Sequence, residues 1–376
     1  MLTIDEFALQ FDEEPGYLDF GKVGPLARAV VEEETAHVEL LRKARFGSLD
    51  AWWEKSEDSR VCRAIGAVLG VDESQIVFQP NTSMGLMQVM FGLSGGILLS
   101  AQEFPSAAFA AVRAADSLGV LRPHWLEADY GRVTPGTVKQ QLTADTKAVA
   151  VSLVDFRTGY LADLEGIRQV MGDRLLIVDA IQGFTVADVD YSLADIVVSG
   201  GQKWVRAGWD TGFLSLTERA RERITPVLSG FNATDEGPVP VGFVPAPSRG
   251  ARAFQVTNAS PIAQSRFSAA LEQIADVGVS AIARKVQENA RRVIEFADEF
   301  GIPVSSPRDD RERAGIVVLR PDPDHLTALA AALHNHGLSV TVRDTNVRVS
   351  PHVSTTEETF DMLRAAFQGF VSTTTR

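Results

Sequence analysis

The chain has 376 residues, 45% of them hydrophobic, and a formal net charge of −13, which is length enough for two cores and an ordinary globular composition. An acidic surface repels phosphate backbones and anionic lipid, which argues against nucleic-acid and membrane partners, and no apolar run reaches the roughly 20 residues of a bilayer span. The one cysteine, Cys62, cannot close an internal disulfide and suits a reducing cytoplasm, and the start Met1-Leu2-Thr3-Ile4-Asp5-Glu6 carries no basic-then-apolar secretory pattern.

Residues 1–24 read as an irregular arm ending in Gly21-Lys22-Val23-Gly24, and Pro25 opens a helix that runs to about Ala44. A helix over Ser59–Leu69 holds Cys62 as a small buried residue. From 75 to 217, short apolar runs alternate with helical patterns. The strands are Gln75–Gln79, Ile97–Ala101, Ala148–Leu153, Leu175–Val178, Ile196–Val198 and Phe213–Leu216, and the helices are 83–93, 106–117, 135–142 and 162–171. Consecutive apolar positions mark strands buried on both faces, and this alternation predicts a mainly parallel sheet between helices. The Gly- and Pro-rich stretch 229–250 is a long connection. Helices follow at about 261–275 and 279–300. After them come a strand (Gly315–Leu319), a helix (His325–His336), two strands (Leu338–Arg343 and Val347–Ser350) and a helix (Glu357–Val371). The expected organisation is an α/β large domain over 25–260 and a smaller α+β domain over 261–376, with the long helix bridging them.

Three segments carry chemistry. In Ile196-Val197-Val198-Ser199-Gly200-Gly201-Gln202-Lys203-Trp204 a lysine follows an apolar strand and two glycines. Partial desolvation there favours the neutral, nucleophilic amine, which can join an aldehyde as a Schiff base; the plain alternative is a surface lysine in a turn. Leu175–Val178 ends on Asp179, and parallel strands of one sheet present their ends on one edge, so Asp179 and Lys203 face one crevice. A pyridoxal-phosphate enzyme needs such a pair, because an aspartate that keeps the pyridine nitrogen protonated makes the ring an electron sink. The segment Phe78-Gln79-Pro80-Asn81-Thr82-Ser83-Met84-Gly85 is a strand, a polar turn and a helix start. Its free N–H groups and hydroxyls suit an anion, although ordinary capping by Thr or Ser uses the same residues.

With these residues the sequence resembles the fold-type I pyridoxal-phosphate enzymes of the class V aminotransferase family, which includes cysteine desulfurases and isopenicillin-N-epimerase-like proteins. The likeness spans about 15 to 370 and rests on Asp179 to Gln182 followed by Ser199 to Trp204. It implies a large domain with a seven-stranded type of sheet, a smaller C-terminal domain and pyridoxal 5′-phosphate as cofactor. It further implies Lys203 as the Schiff-base lysine, Asp179 at the pyridine nitrogen and Gln182 by the phenolic oxygen. Thr82, Ser83, Ser199 and Gln202 would hold the phosphate, and Phe104, in Ala101-Gln102-Glu103-Phe104-Pro105-Ser106, would stack on the ring. Phe254-Gln255-Val256-Thr257-Asn258 resembles the phosphate loop given by a second subunit, so Thr257 implies a homodimer with shared sites. Arg348 would grip the substrate carboxylate, a role suited to a planar, permanently charged fork, and Arg157, Arg206 and Arg343 are candidates for a second acidic group. Where relatives carry Asn or His, this chain has Asp155-Phe156-Arg157.

No cysteine follows Cys62, which disfavours desulfuration through an enzyme persulfide and leaves direct C–S elimination open. His334 and His336 have no partner ligands in sequence, so no metal is expected. The expected function is transformation of an amino acid through an external aldimine, by transamination or β-eliminating C–S cleavage. The alternatives are an epimerase and, from another class, a non-catalytic regulator or scaffold on the same fold.

Overall fold

The computed structural model describes residues 2–43, 47, 57–236 and 241–374. Strands β1 (Ile76–Phe78), β2 (Gly95–Leu99), β3 (Leu121–Trp125), β4 (Thr146–Ser152), β5 (Leu175–Asp179), β6 (Ile196–Gly200) and β7 (Gly212–Leu216) form one seven-stranded sheet in the order β1-β7-β6-β5-β4-β2-β3. Only β7 runs against its neighbours. Strands β5 and β6 are buried along their whole length and mostly apolar because both faces are covered. Leu176 and Val178 of β5 enter one core with Phe20, Ile65 and Phe267, whereas Leu175 and Ile177 enter the other with Val89, Ile97 and Leu214. β3 has no counterpart among the expected strands. Its Arg122-Pro123-His124 is polar and contains proline, which a sheet tolerates only at its edge, and β3 is the edge strand.

The helices are α1 (Ile4–Ala8), α2 (Arg28–Lys43), α3 (Glu57–Leu69), α4 (Thr82–Gly92), α5 (Pro105–Leu118), α6 (Pro135–Gln141), α7 (Leu164–Met171), α8 (Glu218–Arg223), α9 (Pro261–Val277), α10 (Val279–Glu299), α11 (Leu326–Asn335) and α12 (Glu357–Thr374). The expected end of α2, Ala44, and part of the long connection, 237–240, lie outside the described residues. A second sheet, β8 (Val317–Leu319), β9 (Thr341–Arg343) and β10 (Asn346–Val349), is antiparallel in the order β8-β10-β9 and has its own core with α11 and α12. The change of core falls inside α10. Ile282 and Val286 pack with the large sheet, and Ala290, Val293 and Ala297 pack with the small one. Helix α9, grouped from the sequence with the C-terminal part, sends Phe267, Leu271 and Ile274 into the large core. Among the described residues no helix is long and apolar enough to cross a membrane.

The arm is a structural element rather than a loose lead-in. Tyr17 and Asp19 make parallel bridges to Ser339 and Ser350 of the small unit, and Gly24 then donates its N–H to the Gln202 carbonyl in the lysine loop. A Cβ on Gly24 would stand 2.1 Å from the Lys203 carbonyl oxygen, so only glycine allows that approach. Arg206 fastens the arm from below. Its side chain is fully buried, pairs with Glu13, donates to the Pro25 carbonyl (2.6 Å) and to Ser354 (2.8 Å), and lies 3.8 Å over the Phe11 ring. The Arg206 backbone takes a left-handed φ of 62°, a strain of order 1–3 kcal/mol that these contacts offset. Removing the partner of a buried charge is costly, so Glu13→Ala should destabilise the protein by about 3–5 kcal/mol in denaturant unfolding; a loss under about 1 kcal/mol would show that water replaces the pair.

Candidate active site

The β5–β6 register, with Asp179 opposite Val198, sets the ends of both strands on one edge of the sheet. There a cavity of about 650 Å³ opens between the large sheet and the small one. Lys203 and Asp179 both line it. Asp179 is only 5% exposed, and its carboxylate accepts the Ile181 N–H at 3.1 Å. Burial pushes its carboxyl up to about 6; that hydrogen bond and the charge of Lys203 pull the other way. Burial likewise brings Lys203 down to about 8 against the attraction of Asp179, and Arg348 and Arg343 push in the same direction as burial. At neutral to mildly alkaline pH a useful fraction of this amine is therefore neutral.

The helix start behaves differently from simple Thr or Ser capping. Asn81 is the cap of α4, accepting the Met84 N–H at 2.9 Å. That frees Thr82, whose buried hydroxyl has no partner among the described residues, while Ser83 faces Ser106 at 2.7 Å. Ser199, fully buried in β6, likewise keeps an unpartnered hydroxyl, although it lies behind the cavity wall rather than on it. A Cβ on Gly200 would come within 2.5 Å of Gln202 Oε1 and 3.2 Å of Thr82 Oγ1, so the glycine keeps a cradle open between them. Buried polar atoms are rarely left unpaired, and the orphan Thr82 hydroxyl beside the free N–H groups of a helix start fits a phosphate. Thr257 is exposed and outside this cavity.

Phe104 precedes α5, is 40% exposed and sits with its ring centroid 5.5 Å from Lys203 Nζ, edge-on to Phe156. The Gln182 amide lines the cavity but is already engaged, donating to the Gly21 carbonyl at 2.8 Å and accepting from the Trp204 indole at 3.0 Å. Asp155, on the segment where the sequence departs from the family, has its carboxylate filled by the Arg157 and Thr158 amides, the Thr158 hydroxyl and the Arg157 guanidinium. It builds a turn. Sequence reasoning passed over Glu103, a buried carboxyl that accepts the Ser152 N–H at 3.0 Å. Burial, with Asp155 and Asp179 nearby, pushes it up to about 8.

The small sheet forms the opposite wall. Thr341 is paired with Arg348 across β9 and β10, so both point to one face, and Arg343 shares it two residues along. Arg348 is 4% exposed and bonds Asp19 (3.3 Å), Thr341 (3.1 Å) and the Phe156 carbonyl (3.4 Å). Gly21 runs against its guanidinium, where a Cβ would stand at 3.3 Å. Asp19, 329 residues from Arg348, had no local signal in the sequence.

A mainly parallel seven-stranded sheet with aspartate and lysine at neighbouring strand ends, an unpartnered hydroxyl at a helix start and a small domain across the cleft has the architecture of a fold-type I pyridoxal-phosphate enzyme. A family model for aminotransferase class V matches residues 55–373, and the chain belongs to that family. It resembles a probable cysteine desulfurase of Pyrococcus abyssi, 24% identical over 298 residues that cover 76% of this chain and 73% of the relative. Among solved structures it is similar to the apo cysteine desulfurase of Thermococcus onnurineus NA1 (TM-score 0.81, 22% identity, 96% and 95% of the two chains). The cystine C–S lyase C-DES with its product cysteine persulfide is also similar (TM-score 0.83, 20% identity, 94% and 97%). So is a C-DES mutant with glycine covalently linked to its pyridoxal-phosphate cofactor (TM-score 0.85, 19% identity, 94% and 96%). At these identities the structural likeness speaks for the fold, and the family makes the chain a pyridoxal-phosphate-dependent enzyme.

Asp179 gives a pH test. A carboxyl raised in the folded state binds more protons folded than unfolded, so it costs stability above about pH 6 and ceases to do so as the pH falls toward 4. Asp179→Asn should therefore stabilise the cofactor-free chain by up to ~3 kcal/mol at pH 7.5. The gain should vanish near pH 4 in thermal unfolding; a pH-independent gain would remove the carboxyl as its source.

Proposed function

We propose that this enzyme is an amino-acid C–S lyase that cleaves a Cβ–S bond without an enzyme thiol. The observation that carries the reading is the fate of the chain's one cysteine. Cys62 is buried in α3, donates to the Ile76 carbonyl, does not line the cavity, and has its thiol pushed up to about 12 by burial. No thiolate of this chain stands ready to accept sulfur, so sulfur leaves with the product. The relatives named above, desulfurases and a cystine C–S lyase, support cleavage at sulfur.

Pyridoxal phosphate, when bound, supplies the electron sink for the carbanion at the α-carbon. Asp179 would hold its ring nitrogen charged, and Lys203 would carry it. Thr82, Gln202 and Ser83 would hold its phosphate, Ser199 being behind the cavity wall, with Thr257 offered by a second copy of the chain, and Phe104 would lie on the ring. Gln182 keeps one amide hydrogen for the phenolic oxygen. Arg348 holds the α-carboxylate, its fork fixed by Asp19 and Thr341. Lys203, low enough to be partly neutral, takes the α-proton and delivers a proton to the departing sulfur. The single cysteine suits a reducing cytoplasm, and the segment with exposed Thr257 suits a homodimer.

The test is product analysis on the purified holoenzyme with sulfur-bearing amino acids. Keto acid with sulfide or thiol is expected; conversion of the cofactor to its amine form without sulfur release would make the enzyme an aminotransferase. Lys203→Ala should lose roughly 10²–10⁴-fold in turnover and should no longer become irreversibly attached to cofactor on borohydride treatment. Cys62→Ala should turn over as the native enzyme does, and loss of sulfur release in this variant would overturn the thiol-free reading.

A further inference from the structure

The cavity wall carries two guanidinium groups on one face of the small sheet. Arg343 Nη2 and Arg348 Nη1 both donate to the carbonyl oxygen of Phe156, at 3.2 and 3.4 Å. A single carbonyl neutralises neither. Asp19 lies on Arg348. Arg343 has no carboxylate partner among the described residues; its only other contact of note is the Phe156 ring, 5.0 Å away. Of the other two arginines that the sequence offered for a second acidic group, Arg206 is sealed beneath the arm with Glu13 and Arg157 is paired with Asp155. The structure therefore singles out Arg343. Lys22, also on the cavity wall, adds a further charge at this end. Lys203, Asp179 and Asp210 line the same cavity, so the distinction lies in the partner of each guanidinium: Arg348 has Asp19, and Arg343 has no ion pair among the described residues.

We propose that the substrate is an amino acid whose side chain ends in a second anionic group, such as a carboxylate on the sulfur substituent, and that Arg343 is the residue that selects it. The proposal rests on the reading of this cavity as an amino-acid site. The geometry divides the two roles. Arg348 is deep and held on three sides, as suits the invariant carboxylate, and its neighbour Arg343 lies nearer the β9–β10 hairpin, on the same face and half-exposed. The carbonyl they share bounds the separation of their donor atoms to a span that two anionic ends of one small molecule can bridge. A guanidinium held partly out of water with no counter-ion gains more from an anionic partner than an exposed one does. Burial and the neighbouring Arg348 already bring Arg343 below its ordinary value, which an anion would relieve.

The test uses holoenzyme and non-reactive probes. Glutarate should bind about 10- to 100-fold more tightly than butyrate in calorimetric titration, the range of one charged hydrogen-bonded contact. Arg343→Gln should collapse that preference, and Arg343→Lys should restore part of it. In turnover, S-carboxymethylcysteine should exceed S-ethylcysteine in kcat/KM by a similar factor, with the ratio again lost in Arg343→Gln. Equal binding of glutarate and butyrate, or a preference that survives Arg343→Gln, overturns the assignment. If neutral amino acids then still change the cofactor's absorbance, the amino-acid site stands and only the second anion falls. If no amino acid changes it, both readings fall together.

Discussion

Desolvation at the edge of the large sheet is the constraint on which the site depends. Asp179 and Lys203 are both drawn out of water at the ends of adjacent parallel strands, and each is displaced toward its neutral form by the same cause. Their mutual attraction only partly offsets that cost. The arrangement makes sense if a positively charged ring nitrogen completes the set, because a buried carboxylate next to a fixed cation is stabilised where a lone one is not. Glu103 supports this economy from behind. A carboxyl pushed up to about 8 is mostly protonated at neutral pH, so it adds no second negative charge beside Asp179 while still accepting the Ser152 N–H that orders the end of β4.

Enclosure comes from chain segments distant in sequence. The arm reaches the small sheet through Asp19, the lysine loop through Gly24 and the cavity through Gly21, and Gln182 ties that arm to Trp204. Buried Arg206 holds the underside, and the Phe20 ring stacks on His352. Burial keeps His352 well below its ordinary value, so it stays a neutral aromatic packing partner. The arm is thus a wall of the site, and the small sheet cannot move far without straining it.

The sheet was legible because burial on both faces writes itself as short apolar runs, clearest in Leu175–Val178 of β5 and Ile196–Val198 of β6. β3 was not, since an edge strand can carry Arg122 and Pro123. The placing of Lys203, Asp179, Thr82 and Phe104 around one cavity was legible because strand ends and helix starts fix those side chains locally. The hydrogen-bond assignments were not. Asn81 rather than Thr82 or Ser83 caps α4, Asp155 spends its carboxylate on a turn, and Asp19 meets Arg348 across 329 residues. Such pairings follow from how the arm crosses the small sheet, and no periodicity or spacing encodes that crossing.

Charge is distributed over the cavity with a consistent logic. Of the acidic groups around the cavity, Asp179 lies at the strand end, burial displaces Glu103 toward its neutral form, Asp155 is locked in its turn against Arg157, and Asp210 lies exposed on the lining. Arg343 and Arg348 lie on the opposite wall, where Asp19 bonds Arg348 directly and reaches Arg343 only through its charge. A chain of net charge −13 has acidic residues to spare, yet among the described residues none forms an ion pair with Arg343, and Asp155 and Asp19 act on it only through their charge. Leaving a half-buried guanidinium unanswered costs stability. On the proposed reading an anionic end of the substrate would complete that interaction, with Arg348 deep and Arg343 shallower on the same face of the small sheet.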